Sequence, residues 1–432
     1  MKPLLQMAVR NVLKNWRHSL ASMLSIAVGV IALGLFEGYM ADLRALYDDG
    51  FSKRGMLGDV LIEKAGSEEG AKADPWKYLL GDAEQSFLEG YLRQASGVEA
   101  RVRFLNLSGL ASNGRTSAVI VGFGYDVAEG AITRGPRWAW NTLAGKPLQD
   151  AGPDSVLLGR SIGQIFGCLP EEPGVQAGKD PREVPVSCKR KIQISSTTGA
   201  GQLNALDVEV AGLATVSLKE LEAKYAIMPL PLAQQLLDTK GVTMYSVRLS
   251  DPSQAGAFAE QLQAAARQKG LELQAKSWRE HRLGEVFRRG MGVLAVFRTL
   301  VALVVLIVAG MSVLNTLYKA VSERTREIGT LRSLGFLRRH ILVLFGLEGG
   351  LLALAASVGG ILVTVVLATF VNRAGITYKG GLLAEAIPLS IAITPGLYVR
   401  SAVTLCLLAV IAALIPARRA TRMKIPDALG HA

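Results

Sequence analysis

Four long apolar stretches limit what this chain can fold into. They cover approximately residues 19–40, 294–318, 341–371 and 398–416, and residues 300–308 are apolar without interruption. A helix needs about 20 mostly apolar residues to cross a bilayer. Buried core helices are the alternative, because glycines and Glu37 interrupt the first stretch. We predict four transmembrane helices.

The first stretch also resembles a signal peptide, because Lys2, Arg10, Lys14 and Arg17 precede it. The apolar core of a signal peptide has only ~7–15 residues and ends at a small-residue cleavage site. The stretch in this chain is longer and runs through residues 36–39 without such a site. We therefore predict a membrane anchor that is not cleaved.

Lysine and arginine residues are concentrated in three short segments. Residues 1–18, 319–340 and 417–432 carry nearly all of the formal net charge of +12. Lys and Arg are retained on the cytoplasmic side of a membrane, so these segments, including both termini, are predicted to be cytoplasmic. Residues 41–293 and the short loop 372–397 then face outward. Aromatic residues do not alternate with the basic ones, so no nucleic-acid partner is predicted.

Residues 1–18 have the pattern of an amphipathic helix. One face carries apolar residues and the opposite face carries basic ones: Leu5, Val9, Val12 and Trp16 against Arg10, Lys14 and Arg17. Such a helix suits the cytoplasmic surface of a membrane, where it contacts lipids. The alternative is a simple extension of the first transmembrane helix.

Residues 41–293 are numerous enough to bury a core of their own. Strand patterns occur at 59–63, 117–121, 191–195, 207–211 and 244–249, and helical patterns at 82–94, 231–237 and 253–269. Residues 243–276 read as a β-α-β unit with turns at Gly241, Pro252 and Gly270. The predicted fold class is an α-helical membrane protein with four transmembrane helices. A large α+β extracytoplasmic (periplasmic) domain lies between helices 1 and 2.

Two cysteines flank an irregular segment rich in proline and glycine. Cys168 and Cys188 border residues 169–187. In an oxidising compartment a disulfide between them would stabilise the fold by roughly 3 kcal/mol. Two unpaired thiols are the alternative, and we favour the disulfide. Cys406, in the fourth apolar stretch, is predicted to be a small apolar residue only.

Metal-binding and phosphate-binding motifs are not found in the sequence. The four histidines, His18, His281, His340 and His431, are not spaced as metal ligands. No H-E-x-x-H or C-x-x-C pattern occurs. The glycines of residues 174–180 do not have the spacing of a phosphate-binding loop. We therefore predict no catalytic residue, no bound cofactor and no metal site, and this chain alone is not expected to hydrolyse ATP.

A charged segment separates the second and third apolar stretches. Residues 322–335 read SERTREIGTLRSLG, which is too polar to enter a bilayer. We predict a helix over residues 323–332 with its charges outward and with Ile328, Leu331 and Leu334 facing the transmembrane helices. A charged rim beside an apolar face suits docking to another protein. A solvated surface helix with no partner is the alternative.

Glu348 is an acidic residue early in the third apolar stretch. An acid inside a membrane is a candidate functional residue. The alternative is a carboxylate near the interface that pairs with Arg338 or Arg339, and the sequence does not decide between the two.

Small residues recur along the third stretch. Gly346, Gly350, Ala356 and Gly360 form two small-xxx-small pairs. Such pairs permit close approach of another helix. We therefore predict helix packing at these positions, within the chain or between subunits.

The pattern E-R-x-R-E-I-G-x-L-R-x-x-G at residues 323–335 resembles the coupling segment of the MacB/LolC-LolE/FtsX group of ABC-transporter permeases. The order of spans and outer domain and the tail at residues 416–429 are also similar. The resemblance implies a second permease copy or a paralogue, a dimer of ABC ATPase subunits that binds ATP and Mg, and transmission of ATPase closure to the outer domains. It also implies a location in the bacterial inner membrane. The implied ATPase-docking residues are Glu323, Arg324, Arg326, Glu327, Ile328, Leu331, Arg332 and Gly335.

Residues 58–62, 156–160 and 229–237 look closest to the lipoprotein-releasing branch of that group. This branch implies extraction of lipoprotein or lipid from the inner membrane toward a periplasmic carrier. A MacB-like efflux component with a periplasmic adaptor is one alternative. An FtsX-like transmitter to a cell-wall hydrolase is the other, although the outer region is larger than is usual for such chains.

Overall fold

The chain folds as two units. The computed structural model describes residues 2–14, 16–135, 142–170, 186–187, 191–214, 222–378 and 387–422. The membrane unit comprises Met1–Ala45, Gly290–Tyr378 and Pro388–Ala432, and the sheet unit comprises Leu46–Arg289 and Lys379–Ile387.

Helices and strands are numbered along the chain. The helices are α1 (Lys2–Lys14), α2 (Trp16–Asp49), α3 (Ser67–Gly70), α4 (Asp82–Gln94), α5 (Val127–Arg134), α6 (Arg160–Ile165), α7 (Leu230–Leu237), α8 (Ala255–Gln268), α9 (Glu285–Glu323), α10 (Thr325–Ser333), α11 (Arg338–Ala374) and α12 (Pro395–Arg422). The strands are β1 (Val60–Lys64), β2 (Val98–Ser112), β3 (Ser117–Tyr125), β4 (Thr142–Gly145), β5 (Ser155–Gly159), β6 (Leu169–Pro170), β7 (Val186–Ser187), β8 (Lys191–Thr197), β9 (Leu203–Ala214), β10 (Tyr225–Pro229), β11 (Met244–Leu249), β12 (Leu273–Ser277), β13 (Thr377–Tyr378) and β14 (Ile387–Pro388).

A mixed ten-stranded sheet forms the centre of the sheet unit. Its strand order is β12-β1-β11-β2-β3-β10-β5-β9-β4, and β8 pairs with β2 and β9. Apolar side chains are buried on both faces of the sheet. Successive residues of a strand point to opposite faces. In β1, Val60 and Ile62 belong to one buried cluster, whereas Leu61 belongs to the other. The predicted α+β domain is therefore present.

The predicted β-α-β unit has a strand inserted at its centre. β11 and β12 each pair antiparallel with β1, so they run parallel to each other on either side of it. Helix α8 connects them and buries Ala259, Leu262 and Ala266. The pattern of residues 243–276 could not predict that β1 lies between β11 and β12, because β1 comes from a distant part of the sequence.

The irregular segment after α6 begins and ends with paired strands. β6 and β7 are antiparallel, with Leu169 opposite Ser187. Cys168 is disulfide-bonded, whereas Cys406 is free. Cys188 lies outside the described residues, as do residues 171–185, so its pairing with Cys168 stays a prediction.

Four helices of the described chain are long and apolar enough to cross a membrane. These segments are Leu20–Arg54, Arg282–Glu323, Arg338–Ala374 and Pro395–Arg419. Their common core consists mainly of small and β-branched residues, which let helices approach closely: Ile26 and Val30 of α2, Ala309 and Val313 of α9, Ala353 and Ala356 of α11, and Leu405 and Ala409 of α12. The chain is a membrane protein of the predicted class.

The amphipathic N-terminal segment is shorter than predicted. Helix α1 ends at Lys14 and α2 begins at Trp16, so Trp16 belongs to the next helix. Ala8 is fully buried, whereas Leu5 and Val9 are exposed. An exposed apolar row on a basic helix is what insertion into a membrane surface requires.

Candidate functional site: the coupling helix and its base

The charged segment forms a separate helix because the chain breaks at Arg324. Helix α9 continues to Glu323, and Arg324 has φ −109° and ψ 16° before α10 begins. The predicted start of the coupling helix at Glu323 was therefore wrong by two residues. Glu323 belongs to the end of α9, where Lys319 lies 3.9 Å from its carboxylate.

Gly335 ends the coupling helix. Its φ is +94°, a left-handed value that favours glycine. Its N–H donates to the Arg332 carbonyl, and the Phe336 N–H donates to the Leu331 carbonyl, each at 3.1 Å. These two bonds form a Schellman motif. The structure thus gives Gly335 a role in helix termination, and its predicted role in docking stays a prediction.

One side of α10 is anchored and the other is open. Thr325, Ile328 and Gly329 are buried, and Ile328 joins an apolar cluster with Val321, Ile341, Phe345 and Ala417. Arg326 and Glu327 are exposed, whereas Leu331 and Arg332 are half-buried. The helix therefore presents charged side chains on an apolar base.

The prediction that Leu334 faces the transmembrane helices was wrong. Its exposed fraction is 73%. The helical spacing does not continue to Leu334, because α10 ends at Ser333 and Leu334 is the capping residue. Leu334 therefore adds an apolar side chain to the open side of the segment.

Glu348 forms the polar part of the base. It is 5% exposed, and its Oε1 accepts hydrogen bonds from Asn11 Nδ2 at 2.6 Å and Arg324 Nη1 at 3.4 Å. These partners differ from Arg338 and Arg339, which the sequence offered as one alternative. Arg324 lies at the break between α9 and α10, and its guanidinium contacts Glu348 of α11.

Arg324 links the coupling helix to α11. Its Nε donates to Glu327 Oε2 at 3.1 Å, in addition to its contact with Glu348. A pocket of about 330 Å³ adjoins these groups and is lined from α1, α10 and α11 by Met7, Asn11, Arg324, Glu327, Ile328, Thr330, Leu331, Ile341, Leu344 and Phe345. Three elements therefore meet at one buried carboxylate.

The small residues of α11 contact two different helices. Gly346 and Gly350 face Val410 of α12, and a Cβ at Gly350 would lie 3.3 Å from its Cγ2. Gly360 faces α2, where a Cβ would lie 2.9 Å from the Ala27 carbonyl oxygen. Ala356 is buried in the common core. These contacts lie within the chain. The small residues allow the helices to approach each other closely at these positions.

An acid–arginine group between three membrane helices was missed by the sequence reasoning. Glu37 Oε2 lies 3.1 Å from Arg400 Nη2, and Glu37 Oε1 lies 3.7 Å from Arg298 Nε. Each residue is close to the predicted outward end of its apolar stretch, so the predicted topology puts all three at one depth. This shared depth is the feature of the sequence from which the group could have been predicted.

A possible metal-binding group also went unpredicted. His281 lies beside Glu63 and Glu68, and the three ligand atoms are within 4.8 Å of one another. The prediction of no metal site relied on the spacing of histidines, which carries no information about carboxylates more than 200 positions away. The sheet unit brings these residues together.

Two family models match the chain. One, described as MacB-like periplasmic core domain, matches residues 19–265, and the other, described as FtsX-like permease C-terminal, matches residues 299–425.

Curated relatives match over shorter segments. An uncharacterized ABC transporter permease of Methanocaldococcus jannaschii is 29% identical over 133 residues, which are 31% of this chain and 32% of that protein. The macrolide export ATP-binding/permease protein MacB of Bordetella avium is 32% identical over 90 residues, which are 21% of this chain and 14% of that protein. The chain thus spans about a third and about a seventh of the length of these relatives.

Two solved structures are similar to part of the chain. The extracellular domain of the noncanonic ABC-type transporter YknZ from Gram-positive bacteria matches at 15% identity and a TM-score of 0.32, over 51% of this chain and 100% of that one. The periplasmic region of MacB from Actinobacillus actinomycetemcomitans matches at 10% identity and a TM-score of 0.33, over 51% of this chain and 88% of that one.

The family follows from the extent of the sequence matches. The MacB-like model alone covers more than half of the chain, and the FtsX-like model covers the membrane helices that follow the sheet unit. The coupling segment that carried the resemblance, residues 323–335, lies inside the second match. This chain belongs to the MacB/FtsX family of ABC-transporter permeases.

Proposed function

We propose that this permease docks a partner ABC ATPase through the open side of α10 and transmits the ATPase's movement to its own outer domain. The observation that carries the proposal is the asymmetry of α10. Arg326 and Glu327 are exposed, whereas Ile328 and Thr325 are buried in the base. A charged surface on a fixed apolar base suits a protein partner, because charges select it and steer its approach.

The arrangement also offers a path for movement. A push on α10 acts on Arg324, whose guanidinium contacts Glu348 of α11, and Asn11 of α1 contacts the same carboxylate. Displacement of the coupling helix would therefore be resisted by both elements and passed on to them. ATP and Mg would be bound by the ATPase, and we expect no nucleotide on the described residues of this chain.

The proposed location is the bacterial inner membrane, with the N- and C-terminal segments and α10 on the cytoplasmic side. The support is the distribution of Lys and Arg, which are concentrated in residues 1–18, 319–340 and 417–432. The sheet unit would then face the periplasm. A second permease copy or a paralogue would complete the dimer that the family resemblance implies.

We propose lipoprotein or lipid as the cargo, extracted from the inner membrane toward a periplasmic carrier. The support is the likeness of residues 58–62, 156–160 and 229–237 to the lipoprotein-releasing branch. MacB-like efflux through a periplasmic adaptor is the second candidate, favoured by the match to the MacB-like core domain. The match to the FtsX-like model keeps signalling to a cell-wall hydrolase as a third.

Replacing Arg326 with glutamate is expected to weaken ATPase binding by roughly tenfold or more, or at least ~1.4 kcal/mol. Arg326 is the better residue for testing docking, because it is exposed. Glu327 is less suitable, because it also contacts Arg324 of the base. The measurement is co-purification of the ATPase from the native cells in mild detergent, followed by titration of the two purified proteins.

Arg115→Glu is the matched control, because Arg115 is exposed at the turn between β2 and β3. It makes the same charge change outside the proposed docking surface. If Arg326→Glu bound the ATPase as well as the control did, α10 would not be the docking helix. Cells lacking the permease would then be compared with unaltered cells for accumulated lipoprotein, altered drug sensitivity and cell chaining. These three phenotypes distinguish the three candidate functions.

A further inference from the structure

Three potential metal ligands from separate parts of the sequence converge in the sheet unit. Glu63 lies on β1, Glu68 lies on the short helix α3, and His281 precedes the 3-10 turn Arg282–Gly284. His281 Nε2 is 3.4 Å from Glu63 Oε1 and 3.4 Å from Glu68 Oε1. Histidine nitrogen and carboxylate oxygen are both ligands of zinc.

Two of these ligand atoms are buried without a hydrogen-bond partner among the described residues. They are Glu63 Oε1 and His281 Nε2. The exposed fractions of the two residues are 6% and 5%. A buried carboxylate is costly unless a cation or a hydrogen-bond donor compensates it, so the pair needs a further group.

His281 is held in place through its other ring nitrogen. Its Nδ1 accepts the backbone N–H of Leu283 at 3.1 Å. Nε2 is therefore the ring nitrogen that lies beside the two carboxylates.

We propose that Glu63, Glu68 and His281 bind a divalent transition metal, zinc in particular, with water in the remaining position. Ligand atoms at ~2.0–2.1 Å from a tetrahedral zinc lie about 3.4 Å apart. The two distances from His281 Nε2 are 3.4 Å. Two carboxylates also supply the charge that a divalent ion requires. The inference stands independently of the docking role of α10.

The surroundings hold Glu68 in position for this task. Lys276 Nζ contacts Glu68 Oε2 at 2.8 Å, and the Arg282 N–H donates to Glu68 Oε1 at 3.1 Å. Hydrogen bonds to ligating carboxylates fix their orientation in metal sites. The second oxygen of Glu68 is thereby occupied, and Oε1 keeps a lone pair toward His281.

Metal binding would change one hydrogen bond in a predictable way. Zinc takes the place of the proton on Nε2, and the ring becomes the tautomer with its proton on Nδ1, so its net charge stays the same. Nδ1 can then no longer accept the Leu283 N–H. Metal binding would thus lose this one hydrogen bond and form three metal–ligand bonds.

The first test uses the unaltered full-length chain in detergent, carrying a tag without histidines and stripped of metal with a chelator. Titration with Co²⁺ is expected to saturate at one equivalent with the intense visible absorption of four-coordinate cobalt, and Zn²⁺ is expected to displace it. In hydrogen exchange, Zn²⁺ should speed exchange of the Leu283 amide. Absence of saturable binding would overturn the proposal without any variant.

The second test assigns the ligands. Glu63→Gln and His281→Ala are each expected to weaken Zn²⁺ binding at least ~100-fold, the upper end of what outer-shell changes do. Glu69→Gln is the control, because Glu69 is adjacent to Glu68 and exposed. If His281→Ala misfolds, Glu63→Gln keeps the shape of the side chain. Unchanged binding by Glu63→Gln would overturn the assignment.

Discussion

Replacing Glu348 with alanine is expected to destabilise the membrane unit by about 3–5 kcal/mol, the usual cost of removing one partner from a buried ion pair. Arg324 would lose its buried carboxylate, and Asn11 Nδ2 would lose its acceptor at 2.6 Å. Thermal unfolding in detergent measures the effect. Cys406 serves as the reporter, because it is a free thiol in α12 that packs against the common core and becomes reactive on unfolding.

Glu327→Ala is the matched control for this prediction. It removes the other carboxylate of the same arginine, at 3.1 Å, but that side chain is 64% exposed. Exposed ion pairs contribute only about 0–1 kcal/mol. Glu348→Gln keeps an acceptor for Asn11 and should fall between the two. Equal destabilisation by Glu327→Ala and Glu348→Ala would contradict the buried role of Glu348.

The second large effect is expected at Gly360. In Gly360→Leu, the new Cβ would lie 2.9 Å from both the Ala27 carbonyl oxygen and the Val30 Cβ. Helices α2 and α11 would have to separate, since the nearest atoms are a backbone oxygen and a branched Cβ, which cannot rotate away. Overpacking of this kind costs about 1–3 kcal/mol, and sometimes more.

Gly359→Leu is an unusually close control. Gly359 precedes Gly360 on the same helix, but a Cβ there meets no atom within 4 Å among the described residues. Both substitutions add the same side chain and change helix propensity equally. We expect the thiol of Cys406 to react at a clearly lower temperature in Gly360→Leu only. Identical unfolding of the two variants would show that α2 and α11 do not pack through Gly360.

Much of the sheet unit could be predicted because its strands alternate visibly. The patterns at residues 117–121, 191–195 and 244–249 correspond to β3, β8 and β11. The longest strand, β2, was missed although its signal is of the same kind. Ala100, Val102 and Phe104 are buried and alternate with arginines, so charge obscured a regular period of two.

Long-range placement accounts for the errors. Arg338 and Arg339 are the arginines nearest to Glu348 on its own helix, yet Arg324 and Asn11 are its partners. The spacing between the histidines predicts no metal site, whereas His281 lies beside two carboxylates from the N-terminal part of the sheet unit. Spacing in the sequence predicts contacts along one face of a helix. It does not predict contacts between distant segments that folding brings together.

The sequence by itself determined the class of protein and the position of the coupling segment, because apolar length, charge asymmetry and the pattern at residues 323–335 are local properties. Glu37, Arg298 and Arg400 are each near the outward end of a predicted helix, although the sequence did not predict a contact between them. Only the tertiary structure decided that these three residues touch. The same holds for Glu348 and α10 and for Glu63, Glu68 and His281. Burying an ionised side chain is favourable only beside a compensating group, and which groups become neighbours depends on how the helices and strands pack.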